Sequence, residues 1–192
     1  MKQRKRGEAE MEKIFGRPIV TQGDMRKRIE ELGGQIARDY AGKELILVGI
    51  LKGAFAFYAD LARAIRTPLR VDFIVVTSYG SKVKTSGKVT MVTDLTEDIR
   101  GKDVLLVEDI VDSGLTVQYL VKTLAKRKPR SIKVCALLSK PQRRKIVVKV
   151  DYVGFEIPNK YVVGYGLDYQ QHYRNLPYLA VLDKVDEEGR KA

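Results

Sequence analysis

Residues 104 to 116 read Val-Leu-Leu-Val-Glu-Asp-Ile-Val-Asp-Ser-Gly-Leu-Thr. Four apolar residues run into two adjacent carboxylates, Glu108 and Asp109, and a third, Asp112, follows at once. Ser113, Gly114 and Thr116 come next, and an amphipathic stretch begins at Val117. A short apolar run bounded by turn signals reads as a buried strand, which here ends at the acidic pair. Open parallel sheets hold their ligands at the carboxyl ends of such strands. The helix that follows opens with amides that have no partner inside the helix. Small residues let a phosphate approach those amides closely, and hydroxyls add further donors. One loop therefore offers carboxylates to hydroxyls or a metal, and donors to a phosphate. That combination suits a sugar phosphate.

Strands and helices alternate outward from this segment. Apolar residues recur at Met25, Ile29, Leu32, Ile36 and Tyr40, which predicts an amphipathic helix over 22–40. Thr21 and Asp24 stand at its start like a capping box with the shorter acid. Leu45 to Ile50 reads as a buried strand, followed by Gly53 and a helical pattern that ends before Pro68. Val71–Thr77 and Val89–Leu95 read as strands. Between them, residues 79–88 are rich in glycine, hydroxyls and lysine and read as a mobile loop. A turn at Asp98–Lys102 leads into the opening strand, and the helix after it reaches Arg127. Ile132–Ser139 is a further strand, and Lys140–Lys149 a basic, mostly irregular crossing. Residues 151–165 alternate short extended pieces with Pro158 and Gly164, and Tyr178–Leu182 is a last short strand. This order implies an α/β fold with a parallel sheet covered on both faces.

The chain has 192 residues, enough for one domain with a substantial core. Residues 1–13 are nearly all polar, with Lys2, Arg4, Lys5 and Arg6 clustered, and read as a disordered basic tail before a single domain over 14–192. The formal net charge is +12. Solvated surface, attraction of an anionic substrate and nucleic-acid binding compete to explain that excess, and the first two outweigh the third. The one cysteine, Cys135, lies in an apolar run and reads as a buried thiol without a disulfide partner in the chain. No apolar stretch is long enough to span a membrane, and the N-terminus lacks the apolar region of a secretory signal, so a cytoplasmic location is the default. His172, the only histidine, reads as exposed and has no second histidine or cysteine near it to complete a zinc site.

The opening segment closely resembles the phosphoribosyl pyrophosphate (PRPP) motif of type I phosphoribosyltransferases, in the variant of the hypoxanthine-guanine branch. Residues 151–169, Asp-Tyr-Val-Gly-Phe-Glu-Ile-Pro-Asn-Lys-Tyr-Val-Val-Gly-Tyr-Gly-Leu-Asp-Tyr, resemble the purine-binding segment of the same enzymes. Shorter matches are Leu51-Lys52-Gly53 and Ser78-Tyr79. The likeness runs from Ile14 to Leu182. It implies a Rossmann-like parallel sheet flanked by helices, with a small hood over the strand ends. It also implies transfer of phosphoribose from PRPP to N9 of hypoxanthine or guanine with Mg²⁺ as cofactor, in a cytoplasmic homodimer or homotetramer.

The resemblance assigns roles residue by residue, and each has a plainer alternative. Glu108 and Asp109 would bind the ribose hydroxyls, directly or through Mg²⁺; alone, such a pair is usually a solvated turn. Asp112, Ser113, Gly114, Leu115 and Thr116 would cradle the 5-phosphate, and Asp112 would exchange a proton at the purine N7 as general acid/base. The alternative for Asp112 is a helix N-cap. Lys52, Gly53 and Arg174 would bind pyrophosphate, with a non-proline cis peptide expected at Leu51-Lys52. Ser78, Tyr79 and the loop to Lys88 would form a lid that excludes water. Lys140 would donate to the purine 6-oxo group, Tyr161 would stack on the base, and Val162 would read its edge. Asp168 would help hold a second Mg²⁺, making Glu108, Asp109 and Asp168 the metal-binding set. A contrasting reading is an RNA-binding regulator, which the basic clusters Lys126-Arg127-Lys128 and Arg143-Arg144-Lys145 keep open. Against it, no aromatic residues are interleaved with those clusters.

Overall fold

The computed structural model describes residues 18–79 and 88–182, without the side chains of Ser78, Tyr79 and Lys88. The expected basic tail and the expected lid over 80–87 lie outside these residues. Strand β1 (Leu45–Leu51) carries no polar side chain and is buried almost to its end. It sits centrally in a six-stranded sheet, hydrogen-bonded in parallel to β2 (Arg70–Tyr79) on one side and to β4 (Asp103–Val111) on the other. β5 (Ser131–Ser139) and β6 (Tyr152–Glu156) extend the sheet in parallel beyond β4. β3 (Lys88–Thr93) closes the opposite edge, antiparallel to β2. The chain thus winds outward from β1 in one direction and from β4 in the other, leaving a crevice between their carboxyl ends.

Among the described residues, three helices cover the sheet: α1 (Gln22–Asp39), α2 (Phe55–Ala64) and α3 (Leu115–Ala125). Alternation along the strands divides their side chains between two cores. Leu45, Leu47, Leu105 and Val107 face α1 and α2, where they meet Leu32, Ile36, Phe57 and Leu61. Ile46, Val48, Val104 and Leu106 face α3, where they meet Val117, Leu120 and Leu124. Each of these buried apolar side chains contributes ~1.5–3 kcal/mol relative to exposure. A run apolar at every position, rather than at alternate ones, is what a strand between two helical layers requires.

Thr21 caps α1 as expected, accepting from the Asp24 amide at 3.1 Å and donating to the Asp24 carboxylate at 2.6 Å. Further along α1, Arg28 donates to the carbonyls of Gly154 (3.0 Å) and Val153 (2.7 Å), tying the helix to edge strand β6. A small second sheet of β7 (Val162–Val163) and β8 (Ala180–Val181) pairs antiparallel, and Val20 bridges to Leu179 beside it. This is the hood, with its own cluster of Val163, Leu176, Ala180 and Leu182.

Several expectations are corrected. The sheet is not wholly parallel, because β3 returns as the far arm of a hairpin with β2. β4 does not stop at its acidic pair; it runs through Glu108 and Asp109 to Val111, its ladder continuing against β5 at Ile110 and Val111. Residues 152–156 are a full member of the main sheet rather than an isolated extended piece. α3 ends at Ala125, and the last strand is only Ala180–Val181. Two expectations hold: Cys135 is buried and free, and His172 is exposed. No described helix is long and apolar enough to cross a membrane.

Candidate active site

The carboxyl ends of β1, β4 and β5 lie side by side and deliver most of the sequence-predicted residues to one place. β1 ends in a cis peptide between Leu51 and Lys52, as expected for this tripeptide. Lys52 is exposed, while Gly53 turns inward against β4. A Cβ built on Gly53 would land on the carboxylate of Asp109, and one on Gly166 would land on the carbonyl of Gly53. Two glycines thus let three backbone segments converge: the end of β1, the end of β4 and the hood. β2 passes the end of β1, since Leu51 pairs with Val75 and the strand continues to Tyr79. Ser78 and Tyr79 therefore lie at the rim of the same crevice.

The acidic pair is electrostatically uneasy. Glu108 is buried, and its Oε2 has no hydrogen-bond partner among the described residues. Burial, with the charge of Asp109 adding to it, holds its carboxyl well above the usual carboxylate range. Burial also pushes Asp109 up to about 6, and Asp168 adds to the rise. The Ile110 amide, which donates to Asp109 at 2.8 Å, and the charge of Arg174 pull it back. Two desolvated carboxylates side by side favour an arriving cation or hydroxyl donors.

Arg174 is held over this pair by the hood. It donates to the Gly166 carbonyl at 2.6 Å and pairs with Asp168 at 2.7 Å. Asp168 also accepts the Gln171 amide at 2.8 Å. The Tyr161 hydroxyl donates to the Asp168 carbonyl at 3.1 Å. The Tyr161 ring meets Tyr169 edge-on at 5.9 Å. Val162 and Leu167 are buried beside it.

On the other side of Asp109, the loop 112–114 leads into α3. The helix N-cap is Gly114, in a left-handed conformation (φ 85°), which has no side chain to cap the helix; Ser113 Oγ accepts the Leu115 amide at 3.4 Å. That corrects the capping alternative for Asp112, whose carboxylate instead accepts Arg143 Nε at 3.1 Å. Gly114 is doubly constrained, because a Cβ there would come within 2.9 Å of Val148. The uncapped start of α3, with Ser113 and Thr116 beside it, is an open set of donors for an anion. Lys140 follows β5, buried, with its amide donating to the Val111 carbonyl at 3.1 Å.

No three His, Cys, Asp or Glu side chains among the described residues are grouped to hold a metal. Glu108, Asp109 and Asp168 therefore do not form a self-sufficient cage. The donor set still fits Mg²⁺, which takes hard oxygen ligands and is commonly bound by one or two carboxylates together with substrate phosphates. The unpartnered Glu108 Oε2 and the raised carboxyl of Asp109 supply such oxygens. At Asp168 an ion would have to share the carboxylate with Arg174 and Gln171.

Sequence reasoning missed three participants: Gly166, Arg143 and Arg144. The spacing Gly164-Tyr165-Gly166 was a signal for the first, but only the fold shows that Gly166 seats the Gly53 carbonyl. The two arginines were read as parts of a surface cluster. A cleft of about 950 Å³ lies between α1 and α2, lined by Arg26, Asp60 and Arg63 among others, and reaches Tyr165 beside Gly166.

The model of the phosphoribosyl transferase domain family matches residues 19–170. The chain is 48% identical over 171 residues to the hypoxanthine phosphoribosyltransferase of Salmonella typhimurium, covering 88% of this chain and 96% of that protein. It is 50% identical over 171 residues to the hypoxanthine-guanine phosphoribosyltransferase of Mycobacterium bovis, covering 86% and 85%. A crystal structure of a hypoxanthine phosphoribosyltransferase from Staphylococcus aureus superposes with a TM-score of 0.86 at 43% identity, over 90% of this chain and 94% of that one.

Proposed function

The chain belongs to the phosphoribosyltransferase family, and from that premise we propose that it is a purine salvage enzyme transferring the 5-phosphoribosyl group of PRPP to N9 of hypoxanthine or guanine. The products are the nucleoside monophosphate and pyrophosphate. The observation that carries this reading is the convergence of an acidic pair, an uncapped helix start and a hood arginine within one crevice. A molecule with a diol, a monophosphate and a pyrophosphate matches those three features in turn.

The amides at the start of α3, with the hydroxyls of Ser113 and Thr116, bind the 5-phosphate. Glu108 and Asp109 hold the ribose hydroxyls. Their negative charge also lies where positive charge grows on the sugar as the anomeric bond breaks. The backbone at Lys52-Gly53 and the guanidinium of Arg174 receive the departing pyrophosphate. Mg²⁺, when bound with the substrate, would neutralise part of the pyrophosphate charge, with Glu108 and Asp109 and a share of Asp168 as the protein oxygens. Tyr161 stacks on the purine and Val162 reads its edge through the backbone. Lys140 donates to the 6-oxo group, which disfavours adenine because its amino group would leave that donor unpaired. Asp112 exchanges the proton at N7 as N9 attacks. Ser78 and Tyr79 border the pyrophosphate side. A homodimer or homotetramer in the cytoplasm completes the reading.

The test is turnover with PRPP, Mg²⁺ and each of hypoxanthine, guanine and adenine, run beside a salt-dependent titration with RNA. Nucleotide formation with the two 6-oxopurines and not with adenine is expected. Tight RNA binding with no turnover would favour a regulator instead.

A further inference from the structure

The proton-exchanging carboxylate at Asp112 is held by residues of the basic crossing that follows Lys140. Arg143 Nε donates to Asp112 Oδ1 at 3.1 Å. Its neighbour Arg144 donates through Nη1 to the Asp112 carbonyl at 3.2 Å and through Nη2 to Ser139 Oγ at 3.0 Å. The Lys145 amide donates to the Ser113 carbonyl at 3.1 Å, and Lys140, at the start of the same turn, donates its amide to the Val111 carbonyl. The short 3-10 turn Pro141–Arg143 sets this pattern, because it brings consecutive arginines round onto one loop. Four contacts therefore fasten the turn after β5 to the loop after β4.

We propose that Arg143 and Arg144 are positioning residues that clamp Asp112 and lock its loop to the strand end bearing Lys140. The proposal rests on the reading of Asp112 as the group that exchanges a proton with the purine. Arg144 fixes the backbone of that group, and Arg143 fixes its carboxylate. The Arg143 contact is a single N–H on one carboxylate oxygen, so it orients the group without being a bidentate clamp over both oxygens. Because Lys140 and Arg144 lie on one short turn, the donor that reads the purine 6-oxo group and the acid that serves N7 are held in fixed register. This commits two of the three residues of the Arg143-Arg144-Lys145 cluster to contacts within the chain and leaves Lys145 as its most exposed member.

The test is a double-mutant cycle on the full chain, with steady-state kinetics of Arg143→Ala, Arg143→Lys, Asp112→Asn and the Arg143→Ala/Asp112→Asn pair, and a thermal melt of each. Arg143→Ala is expected to lower kcat roughly ten-fold, an effect in the range of directly contacting side chains, with the KM for PRPP within about two-fold. Arg143→Lys should recover most of the loss, since a single charged donor suffices. In the Asp112→Asn background, Arg143→Ala should cost nothing further. If Asp112→Asn alone leaves kcat intact, the underlying reading of Asp112 fails. If Asp112→Asn is slow but Arg143→Ala has no effect, raises only KM, or multiplies the loss in the double variant, the clamp is overturned. A melting curve of Arg143→Ala matching the parent, expected for a side chain one-third exposed, separates positioning from folding.

Discussion

Gly53 and Asp109 touch so closely that the Asp109 carboxylate fills the space a Cβ on residue 53 would need. The contact joins the turn after β1 to the acidic end of β4, and Gly166 closes it from above by sitting on the Gly53 carbonyl. Gly53→Ala is therefore expected to displace the carboxylate rather than merely stiffen a turn. Overpacking of this kind costs about 1–3 kcal/mol. The kcat/KM for PRPP should fall at least about ten-fold, with a modest fall in Tm. Retention of full activity would show that Asp109 need not stay where it is.

Asp112→Asn removes the carboxylate proposed to exchange the purine proton while keeping its size. General acid/base catalysis contributes on the order of 10²- to 10⁴-fold. That loss should appear in kcat, with the KM for PRPP changed by no more than a few-fold. An equal loss in both constants would point to a damaged phosphate loop.

How far the sequence reached can be judged residue by residue. The sheet covered on both faces was readable because β1 and the central runs Val104–Val107 of β4 and Val134–Leu138 of β5 are apolar at every position, as strands between two helical layers must be. The end of β4 was misplaced because Glu108 and Asp109 are charged residues on a strand, and polarity alone argues for a turn. β6 was undervalued because five residues beside a proline and glycines carry little periodicity. In the site, motif residues such as Asp109, Asp112 and Arg174 were legible one at a time. The contacts between them were not. That Arg174 is seated by Asp168 and Gly166, or that Arg143 turns onto Asp112, depends on backbone paths that no spacing encodes.

Tyr161→Phe separates stacking from anchoring. Its hydroxyl donates to the Asp168 carbonyl at 3.1 Å, a bond whose net contribution is about 0.5–1.5 kcal/mol. Stability should fall by that order in denaturant unfolding, while kcat/KM for hypoxanthine stays within about three-fold because the ring remains. A large loss of activity would mean that the hydroxyl itself serves the substrate.

Metal dependence should follow from the same geometry. Because no three acidic or histidine side chains among the described residues gather on one point, Mg²⁺ alone should barely move Tm. Mg²⁺ with PRPP should raise it by several degrees, since linkage gives about 2.7 kcal/mol at a hundred times Kd. Chelation should abolish turnover without unfolding the chain. A large Tm shift from Mg²⁺ alone would reveal a protein-only metal site.

The most direct measurement is a crystal structure with the nucleoside monophosphate product bound. The 5-phosphate should lie on the amides of residues 113–116 at the start of α3, the ribose hydroxyls against Glu108 and Asp109, and the base between Tyr161 and Lys140. A nucleotide found outside the crevice between β1 and β4, with these residues untouched, would contradict the account.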